Sequence, residues 1–154
     1  MLKRIIVAGI KTGAALSLST VLAIMASSKH ETGDAWNAVN AICHVVDGEE
    51  ISQPSGFQKR ESILGLGLNS AAMFAWSFLY EGALHLTKQK STPATAIAGS
   101  AAAYVIDYHL LTERLKPGIE KKISSNGVFL AYAALALAFG LSPLWNKYQD
   151  QDAQ

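Results

Sequence analysis

Two groups of polar residues stand in stretches of this sequence that are otherwise apolar, and both have types that do chemistry. The first is Lys11 with Glu81 and His85. Glu81 and His85 are spaced i,i+4, so on a helix they share one face, and a lysine across from them completes a candidate intramembrane ion pair. The second is His44 with Asn69 and Asp107, joined by Asn37 and Asn40, which fall on one arc with His44 at 100° per residue. A histidine beside a carboxylate is the raw material of a general acid–base pair or of half a metal site.

Ionisable groups matter here because of where they lie. Ile63 to Leu86 is an apolar run of about 24 residues, long enough to cross a bilayer as a helix. At 1.5 Å rise per residue, Lys11 and Glu81 sit about 9 Å and 7–8 Å in from one membrane face. Asn69 and Asp107 lie about 9 Å and 7–8 Å in from the other. Charges at such depth are costly and normally pair or face a cavity. A plainer account also applies: Lys11 snorkels to the headgroups, Glu81 and His85 meet water, and His44 and Asp107 are satisfied polar contacts tying a loop to the bundle. Asp107 and His109, two apart on a helix, point about 160° away from each other, and Asp107 has the stronger claim to face inward. His30 falls in a polar loop and carries no reading.

The elements that must position these residues are helical. Four spans are expected, at approximately 5–26, 63–86, 94–112 and 127–145, with a short amphipathic helix over 34–46 between the first two. The chain is thus expected to be all-α, a single integral membrane domain over 1–154 built as an antiparallel four-helix transmembrane bundle. The first run follows Lys3 and Arg4 and resembles a secretory signal, but Lys11 interrupts it and no small-x-small cleavage site follows, so it is retained as a span. Within it, Gly9, Gly13 and Ser17 form a small-residue ridge for close helix approach. The loop helix has Asp34 as its expected N-cap and Gly48 just past its end; it is too short to span and should lie in the interface or pack across the bundle. Thr92-Pro93 is a cap followed by proline at the first helical position. The fourth span carries no charge at all, and the tail from Asn146 to Gln154 is polar.

Composition agrees with this class. Of 154 residues 16% are charged, against about a quarter in soluble domains. The mean hydropathy of +0.20 is held down by the two long polar loops. The net charge of +1 and scattered basic residues give no reason to expect a nucleic-acid partner. One cysteine, Cys43, excludes an intrachain disulfide and a cysteine-based zinc site. There is no HExxH, no paired ExxH helices, no phosphate-binding glycine loop and no GxSxG elbow. Metal and cofactor are therefore left unassigned. Basic residues fall on both faces, so the positive-inside rule does not decide orientation; the first helix favours termini inside.

Two stretches, Ala38–Gly48 and Asp107–Glu120, resemble segments of small, uncharacterised multi-pass inner-membrane proteins of bacteria. The resemblance covers about a fifth of the chain and implies a bacterial inner-membrane location and four helices, with no activity to transfer. Three functional readings follow. One is a non-enzymatic accessory or interaction protein, with membrane lipids, a second copy or another membrane protein as partner. The second is a small oligomeric transporter or ion-conducting protein using Lys11, Glu81 and Asp107. The third is a membrane enzyme or cofactor binder using His44, Asp107 and Asn69.

Overall fold

In a computed structural model of the chain, which describes residues 2–48 and 54–146, the protein is all-α. The elements are α1 (Leu2–Thr32), α2 (Asn37–Ala41), α3 (His44–Asp47), α4 (Lys59–Thr87), α5 (Pro93–Val105) and α6 (Ser125–Leu141). The polar tail from 147 onward and the acidic stretch 49–53 lie outside the described residues.

Three helices are long and apolar enough to cross a membrane: α1, α4, and α6 with the 3-10 turn that follows it to Leu144. They pack together, α1 lying between α4 and α6, while α5 packs along α6. Neighbours along the chain run in opposite directions. The end of α1 meets the start of α6 where Glu31 accepts from Ser124, and the first half of α1 meets the turn after α6 where Lys11 donates to the Trp145 carbonyl. The small ridge on α1 is what lets α4 approach. A Cβ added to Gly9 would stand 2.2 Å from the Phe78 ring, and one on Gly13 would stand 2.4 Å from Phe74. At that contact Ser77 Oγ donates to the Gly9 carbonyl at 2.7 Å. Ser91 and Ser100 likewise donate to the α6 carbonyls of Phe139 and Tyr132, at 2.8 and 2.6 Å.

Large apolar side chains are exposed along the helices, and polar ones are buried beside the apolar core. Leu18, Leu22, Leu79, Ile97, Phe129 and Leu137 are exposed, whereas Thr12, Asn69, Ser77, Glu81, Ser100 and Asn146 are buried. Water as solvent drives the opposite arrangement; a hydrocarbon surround permits this one, because lipid rewards apolar exteriors and polar groups find partners inside.

Two expected elements differ in detail. The third segment opens at Pro93 on a Thr92 capping box, as its sequence foretells, but α-helix ends at Val105 and a π-helical turn, Ile106–Leu110, completes it. The wider turn coincides with the packing of Tyr104 and Tyr108 against each other and against Tyr132 of α6, a typical place for such a bulge. Leu111 is already extended. Together α5 and the π turn rise roughly 27 Å or less, just short of a full hydrocarbon core.

The loop helix is likewise broken. Instead of one helix over 34–46 there are α2 and α3, with a turn at Ile42–Cys43 between them. Asp34 does not cap α2, whose N-cap is Trp36. It closes the loop instead, accepting from the backbone N–H of Trp36 at 2.9 Å and from that of Gly56. Nor does this segment lie on the surface: Ala38 through His44 are all buried, inserted in the mouth of the bundle between α1 and α4. Gly65 of α4 makes that possible, since a Cβ there would meet the Val39 carbonyl oxygen at 2.2 Å.

Candidate functional site

At the end of the bundle that holds the start of α1, the buried polar group is Glu81 of α4 with residues from α1 and from the turn that follows α6. Thr12 Oγ1 donates to Glu81 Oε1 at 2.7 Å, and Asn146 Nδ2 donates to the same oxygen at 3.0 Å and to Thr12 Oγ1 at 3.1 Å. Trp145 Nε1 donates to Thr12 Oγ1 at 3.3 Å. Glu81 is 2% exposed and Thr12 fully buried. Lys11, on the exposed side of α1, donates to the Trp145 carbonyl at 3.1 Å. Lys11 and Glu81 therefore both engage the turn that ends the described chain, one through its backbone and the other through its side chains. His85 is half-buried one helical turn further along α4. Nothing in the sequence marked Thr12, Trp145 or Asn146. Only their position opposite Glu81, which depends on the packing of α1, α4 and α6, makes them partners.

At the opposite end the predicted cluster divides. Asn69 and Asp107 line one small cavity of about 180 Å³, together with Thr20, Met73, Tyr132 and Leu135. Asn69 Nδ2 donates to Thr20 Oγ1 at 3.3 Å, and Asp107 Oδ2 accepts from Tyr132 OH at 2.7 Å. His109 is exposed, its ring 5.7 Å from that of Tyr104. His44 is fully buried outside the lining of this cavity. Its Nδ1 faces the Ala41 carbonyl at 3.2 Å and its Nε2 the Glu113 carbonyl at 3.5 Å, over Gly118. Gly118 sits at φ +80°, and a Cβ there would come within 2.6 Å of the imidazole. His44 thus joins the loop helices to the second long loop.

Asn40 is a clamp. Its Nδ2 donates to the carbonyls of Pro54 and Gly56, both at 2.9 Å, and its Oδ1 accepts from Ser62 at 2.8 Å. Asn37 stays near the surface and donates to Thr32 at 3.0 Å. Cys43 Sγ donates to the Glu61 carbonyl at 2.9 Å, and burial, then the nearby Asp47 and Glu61 charges, push its thiol up from its ordinary value. Arg60 pairs bidentately with Asp47 at 2.6 and 2.7 Å, which holds that carboxyl below its ordinary range. Among the described residues no three of His, Cys, Asp and Glu converge as a set of metal ligands.

The larger concavity is elsewhere. A groove of about 1180 Å³ runs the length of α5 and α6, from Pro93 and Leu141 at one end to Glu120 and Ser125 at the other. Tyr132 lines both concavities, so its hydroxyl bonds Asp107 on the inner side while its ring borders the outer groove. In the sequence nothing singled out Tyr132 within the uncharged fourth span. Comparison with protein-family models, with curated proteins and with solved structures gives no match for this chain. What stands is a class: an all-α chain with three long apolar helices, consistent with a multi-pass membrane protein.

Proposed function

We propose that this chain is an integral protein of a bacterial inner membrane, with α5 and its π turn as a fourth and short span, and that it acts as a non-enzymatic accessory or interaction protein. The observation that carries the membrane reading is three long apolar helices with large apolar side chains exposed along them, while hydroxyl, amide and carboxylate groups are buried between them. Support for an accessory role comes from how the inner polar groups are used. Glu81, Asn69, Asp107, Asn40 and Ser77 each bond a different segment of the same chain, which spends them on holding helices together. Such bonds contribute about 1 kcal/mol each in a bilayer, and they fix register between helices that hydrophobic burial cannot sort.

The test is extraction. Expressed in a bacterium, the chain should stay with inner-membrane vesicles through an alkaline carbonate wash and leave only with detergent. Reporter fusions after Gln89 and after Lys122 should fall on opposite sides if α5 spans. Release by carbonate would end the membrane reading; fusions on the same side would leave three spans. A specific observation also favours a second reading, a small-ligand site, namely the cavity shared by Asn69 and Asp107. Asp107→Asn and Asn69→Ala would then weaken binding of a ligand by more than the small loss of stability from their bonds to Tyr132 and Thr20 explains.

A further inference from the structure

The α5–α6 groove changes character along its length. Toward Pro93 and Leu141 its walls are small and apolar, among them Ala96, Ala101, Ala136 and Gly140. At the loop end the walls become Tyr104, Tyr108 and Tyr132, with the Glu120 carboxylate at the mouth. Tyr108 OH donates to Glu120 Oε2 at 3.2 Å, and no cation pairs with this carboxylate among the described residues. The mouth lies just before the start of α6, at the level where a membrane-spanning helix enters the headgroup region and where tyrosines concentrate. We propose that this groove binds one phospholipid with a primary-ammonium headgroup, its acyl chain lying along α5 and α6 and its ammonium on Glu120.

The dimensions and the charges both fit. An acyl chain entering at Ser125 reaches the bilayer midplane after about 15 Å, which on α6 is some ten residues, within a groove that continues to Leu141. A carboxylate lining a lipid-facing groove calls for a cation able to donate hydrogen bonds. A primary ammonium supplies three donors, a quaternary ammonium none, and an anionic glycerol headgroup is repelled. Small wall residues make the channel wide enough, and Tyr132, anchored by its bond to Asp107, keeps it open at the mouth.

The inference rests on the membrane reading above, and the experiment separates the two. Full-length protein is purified in mild detergent, stripped of lipid, and titrated with phosphatidylethanolamine, phosphatidylcholine or phosphatidylglycerol of identical chains. Retained lipid is counted by native mass spectrometry, and helicity and melting temperature are followed alongside. Phosphatidylethanolamine should be retained at one per chain, about fivefold more tightly than phosphatidylcholine. Glu120→Gln, which removes the charge but keeps an acceptor for Tyr108, should erase that preference while keeping chain binding. Ala133→Phe, which fills the groove within reach of the acyl chain, should weaken all three. Equal retention of the three lipids, or an unchanged preference in Glu120→Gln, overturns the proposal. So does a dimer that Ala133→Phe dissociates, since a second copy then occupies the groove. A chain that carbonate strips from vesicles fails the membrane reading instead.

Discussion

Glu81 is a carboxylate placed where a carboxylate is expensive, and the structure answers the cost with two donors on one oxygen, Thr12 and Asn146. Asn40 answers it in the same way for an amide, with three bonds to three residues. Asp34 and Cys43, outside the spans, give measurable consequences at the residue scale. The backbone N–H groups of Trp36 and then Gly56 hold the Asp34 carboxyl below its ordinary value of 3.8. A depressed folded-state value means the stabilisation is complete above the ordinary value and is lost as pH falls through the lowered one. Hydrogen exchange should therefore show the backbone N–H groups of Trp36 and Gly56 protected above the ordinary carboxylate range and opening as pH falls through the lowered value. Asp34→Asn should make the loop's opening independent of pH in that range; persistence of the acid transition in the variant would assign it to another group. For Cys43, a buried thiol with a raised pKa is a poor nucleophile. Maleimide should label it at least about tenfold more slowly in detergent than after unfolding in dodecyl sulfate. Rapid labelling of the native chain would mean that α2 and α3 open readily from the bundle.

At the scale of elements, glycines decide which helices can touch. Gly65 and Gly67 are neighbours on α4 with opposite surroundings. An added methyl at Gly65 would meet the Val39 carbonyl oxygen, a backbone atom that cannot swing aside, whereas one at Gly67 meets nothing within 4 Å. Gly65→Ala should consequently displace α2 and lower stability by about 1–3 kcal/mol. Gly67→Ala should be neutral or stabilising by up to about 1 kcal/mol through helix propensity. Thermal unfolding in detergent, with loss of the slow Cys43 labelling in Gly65→Ala, checks both. Equal stability of the two variants would mean α2 is not seated on α4. The small ridge of Gly9 and Gly13 was legible in the sequence as a contact surface, and α4 is the helix that uses it. The break between α2 and α3 was not legible. A 3.6-residue period runs through 34–46, but the segment must bend to follow the mouth of the bundle, and that constraint comes from α1 and α4.

At the scale of the whole molecule, many large apolar side chains are exposed along the helices, and polar groups are buried beside an apolar core. Several of the buried polar groups, among them Glu81, Asn69 and Ser77, bond a residue of another helix. The α5–α6 groove faces the surroundings, apolar along its walls and acidic at its mouth.

By itself the sequence determined the helical class, the long apolar runs, the start of α5 at Thr92-Pro93 and the presence of Glu81 and Asn69 as polar residues within an apolar run. These are local properties, set by hydropathy, capping chemistry and rise per residue. Tertiary structure alone decided the partners. It placed Asn69 and Asp107 on one cavity but His44 over Gly118, brought Thr12 and Asn146 to Glu81, and set Tyr132 between cavity and groove. Periodicity specifies which face of a helix is polar. Which residue that face meets depends on rotation, register and neighbour, and these are fixed only when all the helices pack at once.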